Sequence, residues 1–183
     1  MSDSGRRMRT NRFVSGGLAL SLASLAGCVQ SAAPILTDAR PLLGEHVRLH
    51  LYGLHDDKAH DFQKVAFRWN GNRYVPLGHN RSGIDGFTLH RFDNDDWIAQ
   101  SVHAGHRPTT VEYALVRKLA DGVRLVIPID EDDADEATRA QMCQRPPQFG
   151  CRVTSMEQLM VFVRATAAKS HATGGLAVQV GGP

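Results

Sequence analysis

The sequence predicts an α+β fold: an antiparallel sheet or partly open barrel of about seven strands in hairpins, with two C-terminal helices packed on it. Three observations carry this. Between residues 46 and 129, apolar side chains recur at every second position in short runs, the period of strands with one buried face. Asn-Gly, Asp-rich and Asp-Gly segments separate these runs, so successive strands pair as hairpins. After residue 130 the alternation stops, and apolar positions fall three and four apart, as on a helix packed by one side.

The first strand is His46–Tyr52, where Val47, Leu49 and Leu51 alternate with His46, Arg48 and His50. Phe62–Trp69 follows, with Val65, Phe67 and Trp69 on one face, and Asn70-Gly71 turns it into Arg73–Leu77. Glycine suits that turn because it adopts positive φ without steric cost. Phe87–Phe92 and Trp97–Val102 pair around Asp93-Asn94-Asp95-Asp96. Glu112–Leu119 and Val123–Ile129 pair around Asp121-Gly122. The aromatics Phe67, Trp69, Tyr74, Phe87 and Trp97 lie on strands beside turns, where they serve as core or cross-strand pairs more often than as a ligand platform.

Two helices complete the reading. Asp133–Met142 carries its acids at the N-terminal end, where the helix dipole stabilises them. Thr154-Ser155-Met156-Glu157 has the form of a capping box, and the helix it opens bears the stripe Met156, Leu159, Met160, Phe162 and Val163. Residues 170–183 are Gly-rich and expected to be a flexible tail, with LAVQV as a candidate edge strand. The expected single domain is therefore 42–169, and 28–41 (CVQSAAPILTDARP) reads as a tether.

Residues 1–27 read as a targeting segment. Arg6, Arg7, Arg9 and Arg12 form a basic start, with Met8 as an alternative first residue. Phe13–Ala26 then runs without a charge, long enough for a secretory core and shorter than the ~20 apolar residues of a spanning helix. The segment ends Leu25-Ala26-Gly27-Cys28, which resembles the lipobox of bacterial lipoproteins. That resemblance implies cleavage between Gly27 and Cys28, a diacylglyceryl group on the Cys28 thiol and acylation of the new amino group. One chain binds a bilayer marginally; two or three anchor it stably. Val29, in place of Asp after the cysteine, points by the sorting rule of enteric bacteria to the outer membrane over the inner, facing the periplasm.

Cleavage also changes the charge. Residues 1–27 hold four Arg and one Asp, so the 21 basic and 19 acidic residues of the chain become 17 and 18. The overall balance of the mature chain offers no support for a nucleic-acid partner. About 155 residues remain, enough for one domain with a real core. Cys143 and Cys151, eight residues apart around Pro146-Pro147 and Gly150, are natural disulfide partners in an oxidising envelope. Closing so short a loop contributes about 2–3 kcal/mol in the chain-entropy model. The rival reading, two free thiols or half a metal site, finds no His or Cys ligands nearby in the sequence.

Motifs for chemistry are sparse. His46 and His50 share a strand face but start ~13 Å apart, too far to share one metal. His103 and His106 form a His-x-x-His in a loop and are weak metal candidates, needing a third ligand from elsewhere. Asp93, Asp95 and Asp96 read as a turn, and the acids of Asp130–Glu136 as a solvated helix start. An EF-hand fails, since its sixth and twelfth positions would be Asp135 and Gln141. No G-x-S-x-G, Walker loop or H-E-x-x-H is present.

The stretch Phe67-Arg68-Trp69-Asn70-Gly71-Asn72-Arg73-Tyr74, and that from Tyr113 through Asp121-Gly122 to the acidic run, are similar to uncharacterised lipoproteins of Gram-negative bacteria. This resemblance implies an envelope location and no particular activity. The expectation is a membrane-anchored, non-enzymatic binding module for an envelope protein or cell-wall component, with no cofactor beyond the lipid on Cys28. Two alternatives stand beside it: a periplasmic metal-dependent enzyme or ligand binder using His103 and His106, and an inhibitor of a cell-wall hydrolase.

Overall fold

The alternating runs do form strands. The computed structural model describes residues 28–55, 58–78, 85–103, 110–119, 123–143, 150–169 and 176–181. In chain order these form β1 (Gln30–Ser31), β2 (His46–His55), β3 (Lys58–Trp69), β4 (Tyr74–Pro76), β5 (Phe87–Arg91), β6 (Asp96–His103), β7 (Thr110–Lys118) and β8 (Val123–Pro128). A single 3-10 turn (Glu131–Asp133), α1 (Glu136–Met142), α2 (Met156–Lys169) and β9 (Leu176–Gly181) follow. The seven expected strands are β2 to β8. β3 begins earlier than expected because the register slips between Leu51↔Gln63 and Tyr52↔Asp61, a bulge that lets pairing continue to His55↔Lys58.

Every strand pairing is antiparallel. Neighbours run β7-β6-β5-β4-β3-β2-β9-β8, and β8 pairs in turn with β7, so the pairings go round in a ring. Between β4 and β5 the ring holds by Tyr74↔Phe87 alone, which leaves the barrel partly open there. An eight-stranded ring has an interior about wide enough for side chains to fill. Val47, Leu49 and Leu51 from β2, Val65 and Phe67 from β3, and Tyr74, Leu89, Val116 and Val178 form one buried cluster inside it. The rings of Tyr74 and Phe87 stack at 5.0 Å, and Phe67 meets Phe87 edge-on at 5.1 Å. These aromatics are core, as their positions beside turns predict.

β6 and β7 are buried on their other face as well. Ile98, Val111, Tyr113 and Leu115 point away from Val116 and pack under Leu159, Phe162 and Val163 of α2, with Val29, Leu36, Ile129 and Val153. The helix thus sits on the outside of the barrel and makes a second core. Asp96 and Arg117, cross-strand partners at one end of β6 and β7, join in a bidentate ion pair with Nη2–Oδ2 at 2.8 Å. Arg117 also donates to the Ala167 carbonyl, tying α2 to that end.

Two expectations are corrected. The tether begins as part of the fold: Val29 is fully buried, β1 pairs with β7 at Gln30↔Glu112, and Leu36 lies in the outer core. On β6, the Gln100 side chain accepts from the Ile35 and Leu36 amides at 3.0 Å each and donates to the Leu36 carbonyl. The Ser and Ala content of the segment concealed this, because one distant glutamine supplies the bonds a local pattern would have announced. Part of the Gly-rich tail is likewise ordered. Leu176–Gly181 is β9, paired on both sides with β2 and β8, so it completes the ring instead of lying at an edge.

The start of α2 differs by one residue from the expected box. Ser155 caps the helix, its Oγ accepting from the Gln158 amide at 3.2 Å, and the Gln158 side chain reaches back to the Thr154 amide. Met156 consequently falls in the first turn and is 46% exposed, while Leu159, Phe162, Val163 and Thr166 form the buried stripe.

Candidate functional site

Cys28, the expected lipidated residue, stands where β8 leaves β7: it bridges to Asp130, and the Val29 amide donates to the Ile129 carbonyl. The segment 150–153 lies along its other side, with the Gln30 amide donating to Cys151 and the Val153 amide donating to Gln30. Gly150 makes this approach possible. A Cβ there would come within 2.3 Å of the Cys28 carbonyl oxygen. Burial, helped by the nearby charges of Glu112 and Asp130, pushes the Cys28 thiol up to about 12. Docked in the fold, that thiol is protonated and a poor nucleophile.

Cys143 and Cys151 lie at disulfide distance, with sulfurs 2.06 Å apart, and join the end of α1 to the segment that grips Cys28 and Gln30. The Glu131 carboxylate lies 3.8 Å from the Cys143 sulfur. Both sulfurs are spent on each other, so this trio offers a metal no thiolate. The acidic run caps helices, as expected. Asp130 accepts from the Asp132 amide, Asp135 accepts from the Thr138 amide at 2.8 Å, and Asp133 accepts from Thr166 of α2. Asp93 closes the β5–β6 turn by accepting from the amides of Asp95 and Asp96, bonds that hold its carboxyl below the usual range.

His46 is exposed and His50 half-buried on β2, opposite Arg68 and Lys64. His103 ends β6 opposite Thr110; its side chain, like all of His106, lies outside the described residues. So does Gly27 at the expected cleavage bond.

The feature that sequence reasoning missed is a groove of about 570 Å³ on the outer face. Its rim is the chain from Leu36 to Leu42, pinned at one end by Gln100 and at the other by Tyr74, whose hydroxyl accepts from the Leu43 amide and donates to the Gly44 carbonyl. Leu89, His90, Arg91 and Phe92 of the β5 region, Ile98 of β6, and Met156 and Met160 of α2 supply the rest. An apolar bed with a few polar groups in this size range is the usual form of a small-ligand site. His90 is buried, with Nε2 at 2.8 Å from the Thr88 hydroxyl. That burial holds the imidazole below its ordinary pKa, and the nearby Asp38 opposes the shift. His90 is therefore neutral at pH 7. The only sequence signal for this groove is Met156-x-x-x-Met160, which also reads as plain helix stripe.

No protein-family model matches the chain, nor does any curated protein or solved structure. No helix among the described residues is long and apolar enough to cross a membrane.

Proposed function

We propose that this chain is a non-enzymatic envelope lipoprotein, anchored through Cys28, that holds a ligand in the groove between residues 36–42 and α2. The anchor rests on Leu25-Ala26-Gly27-Cys28. The binding role rests on one observation, an open groove with an apolar bed beside Arg40 and Arg91, neither of which has an ion-pair partner among the described residues. The diacylglyceryl group would remain on a sulfur that is buried here, so in the lipidated protein Cys28 swings out of this position and the docked segment starts at Val29. Val29 argues for the outer membrane, inner leaflet.

Mass spectrometry of the protein from the membrane fraction tests the anchor. The expected species starts at Cys28 and carries two or three acyl chains, and Cys28→Ala releases the protein from the membrane. A species that keeps residues 1–27, or carries no lipid, would overturn it. Crosslinking in living cells from Met156 tests the groove as a contact surface, with Asn94 at the β5–β6 turn as the control position.

A further inference from the structure

We propose that the groove binds a single-chain amphiphile with an anionic head, a carboxylate or phosphate on an aliphatic tail; this rests on the groove being the protein's binding surface. Its outward-facing apolar lining is Leu36, Phe92, Ile98 and Met160, with Met156 exposed at the mouth. Methionines adapt to flexible chains better than branched side chains do. The two guanidinium groups of the lining belong to Arg40 and Arg91, both on exposed residues. Neither makes a side-chain hydrogen bond or ion pair among the described residues. Arg117, by contrast, is fully engaged by Asp96.

The lining holds one acid, Asp38, against Arg40 and Arg91, and His90 is neutral, so the site carries one net positive charge at pH 7. A guanidinium offers a planar fork that fits carboxylate and phosphate oxygens. The same charge disfavours an ammonium head, and an uncharged head leaves the forks in water.

The test uses the full chain in nanodiscs, with its methionine methyl groups labelled for NMR. It is titrated with octanoate, octyl phosphate, octanol and octylammonium, each below its micelle concentration. Octanoate or octyl phosphate should shift Met156 and Met160 saturably. Met142, which packs on the outer core away from the groove, should stay in place. The arm that binds tighter separates a fatty-acid source from a phospholipid one. In the double variant Arg40→Ala, Arg91→Ala, loss of the charge-assisted contacts weakens binding at least about tenfold, and both positions are exposed, so the thermal midpoint should hold. Equal binding of all four probes would sink the anionic inference while leaving the groove as a binding surface. If none produces a saturable shift, the amphiphile proposal falls, and crosslinking from Met156 then decides whether the groove still meets a protein.

Discussion

The inside of the barrel and the core beneath α2 use the same kinds of side chain but are assembled differently. The inner cluster comes from hairpin neighbours. Phe67 and Tyr74 lie on strands joined by a four-residue turn, and Phe87 pairs with Tyr74 on the next strand. The outer cluster gathers Val29, Ile98, Leu115, Val153 and Phe162 from distant parts of the chain. Local pairing assembles most of the first core, with Val116 of β7 and Val178 of β9 added as the ring closes, whereas the second depends on straps: Gln100 on residues 35–36, Cys151 on Gln30, and Arg117 on Ala167. The groove lies along one of those straps, so its shape depends on the outer core.

The largest effect should come from inside. Phe67→Ala removes a ring that is 1% exposed and should cost about 3–5 kcal/mol. The measurement is a lower chemical-denaturation midpoint, with loss of inner and outer amide protection together. If the outer core exchanges alone, the inner cluster is not the supporting one.

Removing the Cys143–Cys151 bridge with Ser at both positions should cost about 2–3 kcal/mol. Hydrogen exchange should then speed at Gln30 and Val153 before it does in β2 and β3. Uniform loss of protection would mean that the two cores unfold as one unit.

Gln100→Ala should cost about 2 kcal/mol, because it leaves the Leu36 amide and carbonyl without their partner in a buried position. Exchange at Ile35 and Leu36 should quicken, and the groove should lose its affinity for octanoate. Unchanged exchange there would show that residues 35–36 are held by packing.

The smallest effect is a pH slope. The folded-state pKa of His90 is lowered by burial, so near and below its ordinary value of 6.5 the unfolded chain binds more protons. Stability should therefore fall as pH drops through that value and level off once the folded imidazole also protonates. Thr88, Asp38, Arg40 and Arg91 are the polar and charged groups around it. His90→Gln should flatten this part of the curve in thermal melts from pH 7 to 5. A slope that persists would assign it to other groups.

Much of the barrel was legible because hairpins are local. Val47-x-Leu49-x-Leu51 declares a strand by its period, and Asn70-Gly71 declares the turn that returns the chain: Gly71 has φ +96°, and the Asn70 side chain accepts from the Arg73 amide. The acids of 130–136 declared a helix start: Asp130 and Asp135 became caps, while Asp133, the expected first residue of the helix, ends a 3-10 turn and binds Thr166, so α1 starts at Glu136. The same local logic misplaced the α2 cap by one residue, since Thr154/Glu157 and Ser155/Gln158 satisfy the same motif and only the chain's entry path chooses between them.

By itself the sequence determined the strands, the aromatic interior, the helices, the bridge between Cys143 and Cys151 and the motif at Cys28. Each is written in residues close together in the chain. Tertiary structure alone decided that residues 28–36 belong to the fold, that Leu176–Gly181 completes the ring, that Asp96 meets Arg117, and that a groove lies beside Arg40 and Arg91. Those features join residues far apart in sequence, where no period or turn signal reaches. β1 and β9 are held by backbone ladders to distant strands, and residues 35–36 by the single side chain of Gln100, whose partners exist only once the strands have paired.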